Sequence, residues 1–321
     1  MSTPNRPPIS TQITRSAHRW AGPVAALGAG ALLAALLTAS PPARAGAPTR
    51  CPWTASVVAS GLGSLENLAF DGSGGMLLSR TDDRAGQIYR MTPDGQGASV
   101  VPNIAAPGSI TVAGPTAYFT TGNSFASGIL GRSDGTIDQV ELATGALQTV
   151  ASGLTMPNGM ARLPDGSFVV SRNLGWTTGL SKVSADGKTL TPFAPALTLT
   201  NGVAYDSSRN SVITSLDLHP VATVAIIDLA NPDHIQKLNL GLFGLLGFPD
   251  DLTVGADDQI YLAMDGGSVV RLDPDHHTAC ILSAALPGST SVRFGAGPGW
   301  DPVSLYVTNL GGAVHKLAPT G

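Results

Sequence analysis

Charge is scarce in this sequence: Asp, Glu, Lys and Arg make up only 12% of its 321 residues. With Gly (39) and Pro (24) supplying nearly a fifth of the chain, the composition argues against long helices and for many tight turns. Also missing is any basic patch or interleaving of basic with aromatic side chains, so no nucleic-acid partner is expected. No phosphate-binding Gly-rich loop, dinucleotide fingerprint or H-E-x-x-H helix occurs. Cysteine is limited to Cys51 and Cys280, and neither has Cys or His neighbours at zinc-ligand spacing. What remains is an all-β chain, a class whose single domains often reach about 250 residues.

The N-terminus reads as an export signal. Arg6, Arg15 and Arg19 precede an uncharged Ala/Leu-rich run from Ala21 to Ala39, and Ala43-Arg44-Ala45 matches an A-x-A cleavage site, with Ala45-Gly46-Ala47 as second choice. The run is Gly-interrupted and marginal for a membrane span of about 20 residues, so no stable membrane anchor is expected after cleavage. Residues 1–45 are therefore expected to be a signal peptide and 46–321 one domain, exported to a periplasm or out of the cell. Cleavage removes four arginines and no acid from 18 basic and 22 acidic residues, leaving a formal charge of −8, which repels phosphate backbones. In an oxidising compartment Cys51 and Cys280 could form one disulfide; sequence alone does not place their Cα atoms within bridging distance.

Internal repeats carry most of the remaining information. Leu68-Ala69-Phe70 leads through Asp71-Gly72 to Met76-Leu77-Leu78, then Gly86 to Arg90, then Ala98 to Val101: four short strands in succession. The order recurs from Met160, Val203 and Leu252, and less completely from Ile110 and Val292. Six units in the mature chain, at roughly 46 residues each, predict a six-bladed β-propeller. The last unit supplies only three strands before the chain ends. Ala55 to Leu62 resembles the outer-strand segment Gln148 to Leu154, and is expected to complete blade six and close the ring.

In such a ring the residues opening each blade converge near the axis. Two positions before the first apolar strand residue stand Glu66, Gly108, Asn158, Asn201, Asp250 and Thr290. Four of these, Glu66, Asn158, Asn201 and Asp250, offer oxygen donors suited to a cation, two of them carboxylates, and none offers nitrogen or sulfur. That set suits calcium better than zinc, with another divalent cation left open. Each of Asn158-Gly159, Asn201-Gly202 and Pro249-Asp250 is also an ordinary turn pair. The registration of four donors in four repeats is what turn preference does not explain.

In Leu65-Glu66-Asn67, Met156-Pro157-Asn158-Gly159, Thr200-Asn201-Gly202 and Phe248-Pro249-Asp250-Asp251 the chain resembles the senescence marker protein / gluconolactonase family, related to the paraoxonases and strictosidine synthase-like proteins. The resemblance spans about Ser64 to Leu317. It implies a divalent cation, usually calcium, held by Glu66, Asn158, Asn201 and Asp250, and hydrolysis of a small-molecule lactone or related ester. Asp250 is the expected catalytic acid-base residue, with Asp251 in reserve because a cation lowers the basicity of a bound carboxylate. The alternative is a non-catalytic ligand- or partner-binding propeller with a structural calcium. The histidine pair that paraoxonases use has no match: His276-His277 reads as a solvated turn, and His219 as a residue near the mouth at most. Gly131-Arg132-Ser133-Asp134-Gly135 fits G-x-S-x-G but lacks the strand-to-helix elbow that the motif needs. The apolar stretch Leu240 to Phe248 is either a greasy loop beside the site or a buried outer strand followed by a packed turn, and Ser124-Phe125 and Trp176 are further rim candidates.

Overall fold

The computed structural model describes residues 43–44, 48–82, 85–175, 179–219 and 223–320. Nearly all of the expected signal peptide, and Trp176, lie outside these. Period-2 alternation between Gly and Asp-Gly turns folds the chain into six antiparallel sheets, each built on four strands ordered outward from the axis. Blade one runs through Ser64–Phe70, Met76–Thr81, Gly86–Met91 and Gly97–Ile104. The innermost strands of blades two to six are Ile110–Ala113, Pro157–Arg162, Thr200–Asp206, Pro249–Val254 and Ser289–Phe294. Each innermost strand packs against its counterparts in the two neighbouring blades, which makes the axis a barrel of inner strands. The fold is the six-bladed β-propeller expected from the repeats.

Ring closure follows the expected scheme. Thr54–Ala59 pairs antiparallel with Val314–Ala318 as the fourth strand of blade six, with Ala59 opposite Val314 and Ala55 opposite Leu317. Upstream, Thr49–Arg50 adds a short parallel strand to the outer edge of blade five, and Ala43–Arg44 does the same for blade four. Cys51 and Cys280 form a disulfide with Cα atoms 5.7 Å apart. It staples the N-terminal segment to blade five just before that segment closes blade six.

Hydrophobic burial is distributed around the ring. Six clusters form, one at each junction between adjacent blades. Ile213, Val224 and Leu238 of blade four meet Leu252, Leu262 and Val270 of blade five. At the closing junction Leu65, Leu68 and Leu78 of blade one meet Trp300, Tyr306 and Val314 of blade six. The strand faces between blades are apolar on both sides, so the blades cannot separate without exposing a whole cluster.

Two short helices interrupt the pattern. Helix α1, Phe125–Leu130, lies between the second and third strands of blade two, capped by Ser124, whose side chain accepts from the Ser127 amide. Helix α2, Leu242–Gly247, links blade four to blade five. Here the reading of a buried outer strand does not hold, and the greasy segment beside the site is a helix rather than a loop. The outer strand of blade four ends at Asn239, whose side chain accepts from Gly241 N at 2.7 Å, and Gly241 takes φ 62° and turns the chain into the helix. The i, i+4 pair Leu242 and Leu246 stands exposed on that helix.

Candidate functional site

In an antiparallel meander the connections between blades and those between second and third strands open on one face. Near the axis that face holds a cavity of about 220 Å³. Glu66, Asn158, Asn201, Asp250 and Thr290 all line it, so the aligned positions converge as registered. A Cβ at the sixth, Gly108, would meet Thr120 Oγ1 at 2.5 Å and the Pro157 carbonyl at 2.8 Å. Backbone fills that place instead.

A repeated β-bulge aims these side chains. Strand pairing slips between Leu65 and Asn67, Pro157 and Met160, Thr200 and Val203, Pro249 and Leu252, and Ser289 and Ser291. Each slip brackets one cavity residue; a bulge rotates the strand and turns its extra residue out of the regular alternation. Asn158-Gly159 and Asn201-Gly202 are therefore strand bulges rather than the turns their composition suggested. The glycines serve close approach: a Cβ on Gly159 would lie 2.3 Å from the Asn201 carbonyl, and one on Gly202 would lie 2.5 Å from Asp251 Cα.

Bulges free backbone groups from the ladder, and hydroxyls on the second strands take them up. Ser171 accepts from Gly159 N at 2.7 Å and Ser215 from Gly202 N at 2.8 Å. Ser215 also donates to the Asp250 carbonyl, and Ser79 to the Gly108 carbonyl at 2.5 Å. Thr290 donates to the Leu65 carbonyl at 2.9 Å. The hydroxyl of one blade thus pins the backbone that carries a donor in the next.

A second tier of cavity residues escaped the sequence reading. Asn123, Asn173, Asp217 and Asp265 come from the ends of second strands in blades two to five. Aligning the repeats at that point, as at the first strands, would have exposed them as a ring of Asn and Asp. Asn123 donates to Glu66 Oε1 at 2.8 Å. The Oδ1 atoms of Asn123, Asn173, Asn201, Asp217 and Asp265 are all buried without a hydrogen-bond partner. Five unpaired oxygens around one cavity is a concentration that native interiors avoid unless a ligand or water completes them.

Four carboxyls share the cavity, and among the described residues no basic side chain lines it. Burial, then the charge of Asp265, push Glu66 up to about 7, partly offset by the Asn123 and Asn158 hydrogen bonds. Burial and the neighbouring Glu66 and Asp265 charges hold Asp250 well above the carboxylate range. Burial and Asp217 push Asp265 up to about 6, and burial raises Asp217. Such a cluster takes up protons or a cation. Among the described residues no three His, Cys, Asp or Glu side chains gather as a metal site by themselves. The donors fit a hard cation only because Asn158 and Asn201 complete the two acids, and the unpaired Asn201 Oδ1 faces the same space.

Asp251 stands apart. It is buried but does not line the cavity: its Oδ2 accepts from Asn67 Nδ2 at 2.7 Å and Ser291 Oγ at 2.6 Å, and pairs with Arg293 Nη2 at 2.7 Å. Asn67 Oδ1 in turn accepts from Ile110 N at 3.1 Å. This knot joins blades one, two, five and six across the axis. Beyond it, further along the inner strands, a second cavity of about 240 Å³ is lined by Arg293, Arg162 and apolar side chains. His219 is not among the residues lining the axial cavity, and His276 bonds Asp273 on an exposed turn of blade five. Ser133 is exposed on a turn leading from α1 into a strand, the reverse of a nucleophile elbow.

No protein-family profile matches the chain, and no curated protein matches it either. Solved structures do. A gluconolactonase from Xanthomonas campestris superposes with a TM-score of 0.63 at 13% identity, covering 84% of this chain and 90% of that one. A luciferin-regenerating enzyme gives 0.62 at 14%, covering 84% and 96%. Virginiamycin B lyase from Staphylococcus aureus gives 0.54 at 13%, covering 83% and 98%. At these identities the likeness is one of fold: the chain is a six-bladed β-propeller sharing its architecture with a gluconolactonase and a luciferin-regenerating enzyme.

Proposed function

We propose that the protein is an exported, metal-dependent hydrolase of lactones or related esters, with a calcium-like cation held by Glu66, Asn158, Asn201 and Asp250. The observation that carries this reading is the convergence of four carboxyls and of five unpaired oxygens on one cavity that, among the described residues, no basic side chain lines. Gluconolactonase among the structural neighbours supports the substrate class. When bound there, the cation supplies Lewis-acid polarisation of the ester carbonyl and stabilises the charge that water attack builds on its oxygen. Asp250 is assigned to orient the attacking water. Asp265, which lines the same cavity as Asp250 and carries an unpaired Oδ1, is assigned to receive the proton. Asp251 acts as a positioning residue, fixing the strand next to Asp250 through Arg293, Ser291 and Asn67. Asn123 holds Glu66 in orientation through its amide. The test is hydrolysis of sugar, aliphatic and acyl-homoserine lactones by the purified mature protein, with chelator and calcium add-back. Turnover that vanishes on chelation, returns with calcium and is lost in Asp250→Asn supports the reading. Folded, calcium-loaded protein that hydrolyses none of them favours a non-catalytic binding propeller.

A further inference from the structure

Apolar exposure on this molecule is concentrated rather than scattered. Of the twelve large hydrophobic side chains exposed among the described residues, eight lie on the cavity-bearing face. Phe125, Ile129 and Leu130 belong to α1, Leu242 and Leu246 to α2, and Phe248 follows α2; the other two sit on the second-strand loops of blades four and six. Phe125 is 71% and Leu242 73% exposed. The six connections between blades, which all open on this face, contain no Asp, Glu, Lys or Arg. Scattered apolar residues need no explanation; apolar side chains gathered on the one face that opens a polar cavity do.

The apolar face reaches the cavity. Phe125, Met156, Leu174 and Leu310 line the cavity itself beside its carboxylates. An apolar groove of about 350 Å³ lies against α2, lined by Leu242, Phe243, Leu246, Gly247, Gly266 and Ser268. Asp265 lines the cavity and its neighbour Gly266 lines the groove. Backbone bonds from Asp265 N to Phe248 O at 3.0 Å and from Gly266 N to Gly247 O at 2.9 Å fasten that turn to the end of α2. One turn of chain therefore separates the polar cavity from the apolar groove.

We infer that the site takes an amphiphilic substrate, whose carbonyl-bearing polar head enters the axial cavity while an uncharged aliphatic tail lies in the groove along α2. This rests on the hydrolase reading for the head and on the apolar face alone for the tail. A charged tail would lie in a groove whose described lining offers it no counter-charge. A sugar ring would leave the groove and the α2 leucines in water. Burying each methylene of the tail should raise kcat/KM about two- to fourfold until the groove is filled.

The experiment is a series of γ-lactones with linear alkyl tails of increasing length, from the unsubstituted ring upward, assayed with the calcium-loaded protein. The expected result is a stepwise rise with tail length and then a plateau. Leu242→Asn with Leu246→Asn should flatten that rise; both side chains are exposed, so the fold should survive. Val303→Asn, at an exposed apolar residue in a connection between first and second strands, should leave the rise intact. A flat profile in the wild-type protein would overturn the inference. If no lactone is hydrolysed, calorimetric binding of the corresponding alkyl lactams separates the two readings. Affinity that climbs with tail length and is lost in the α2 variant sustains the tail groove while the hydrolase reading falls; affinity independent of tail length overturns the groove as well. Binding to phosphatidylcholine vesicles without any tail-length effect would also overturn it, assigning the apolar face to a lipid surface.

Discussion

Glu66→Gln should stabilise the protein in the absence of metal, and the gain should depend on pH in a defined direction. The folded protein holds the Glu66 carboxyl at about 7, against an ordinary value of 4.5, because burial and the Asp265 charge oppose its ionisation. A folded value above the unfolded one means that the native state keeps a proton which the unfolded chain has released. Wild-type stability therefore falls as pH rises from about 4.5 to about 7, and stays at its lower level above that window. At 1.36 kcal/mol for each tenfold change the loss is at most about 3 kcal/mol, an upper bound because the side chain opens partly onto the cavity and its water. Glutamine cannot ionise and can still accept the Asn123 hydrogen bond, so it escapes the loss. For a domain of this size 1 kcal/mol corresponds to about 2–4 °C, so thermal melts in chelator should place the variant about 6–12 °C above wild type at pH 8. At pH 5 the two should nearly coincide. Added calcium should reverse the order at pH 8, since a cation binding only the native state stabilises the chain that binds it more tightly. An equal gain at both pH values, or none at pH 8, would refute the account of Glu66 as a charge held at energetic cost for a cation.

Three further outcomes follow from the scaffold. Replacing Cys51 and Cys280 with alanine opens a loop with a sequence separation of 229, worth about 5 kcal/mol by chain entropy at the upper end; denaturant unfolding should show a loss approaching that, with fraying of the Thr54–Ala59 strand first in hydrogen exchange. Arg293→Met strips the counter-charge from buried Asp251 and should cost about 3–5 kcal/mol, most of it recovered in the double variant with Asp251→Asn; failure of the double variant to recover would mean that the guanidinium acts by packing instead. Ser215→Ala leaves the Gly202 amide and the Asp250 carbonyl unpaired and should cost about 1–3 kcal/mol, and calorimetry should show weaker calcium binding because the two bulges bearing Asn201 and Asp250 lose their common anchor.

Much of this architecture could be read from the chain. Short alternating strands between Gly and Asp-Gly turns gave six repeats, and the missing last strand pointed to Ala55–Leu62, because an edge left open in a propeller has to be covered. Registering Glu66, Asn158, Asn201 and Asp250 across repeats placed them on one cavity, since equivalent positions in a ring converge on its axis. Reading failed where pairs of residues were judged by local preference. Asn-Gly looked like a turn, yet the glycine is required by the close approach of backbone from the neighbouring blade's inner strand, a contact between residues more than forty positions apart in the chain. The α2 stretch was ambiguous because a short apolar run serves strand and helix alike. The second-tier residues Asn173, Asp217 and Asp265 were visible in principle, but only to someone aligning the ends of second strands as well as the starts of first ones.

Asp250 and Asp251 mark the boundary between the two sources of information. They are neighbours of the same chemistry and both are candidates for the same proton, although registration across the repeats puts only Asp250 at an axial position. The bulge between Pro249 and Leu252 sends one carboxylate into the axial cavity and the other into a knot with Arg293, Ser291 and Asn67. Composition and periodicity determine the blade count, the closing strand and the oxygen character of the axial donors, because these depend on patterns repeated along the chain. What Asp251 pairs with, whether the two cysteines meet and which leucines stay exposed depend on partners brought in from other blades, and only the closed ring brings those partners together.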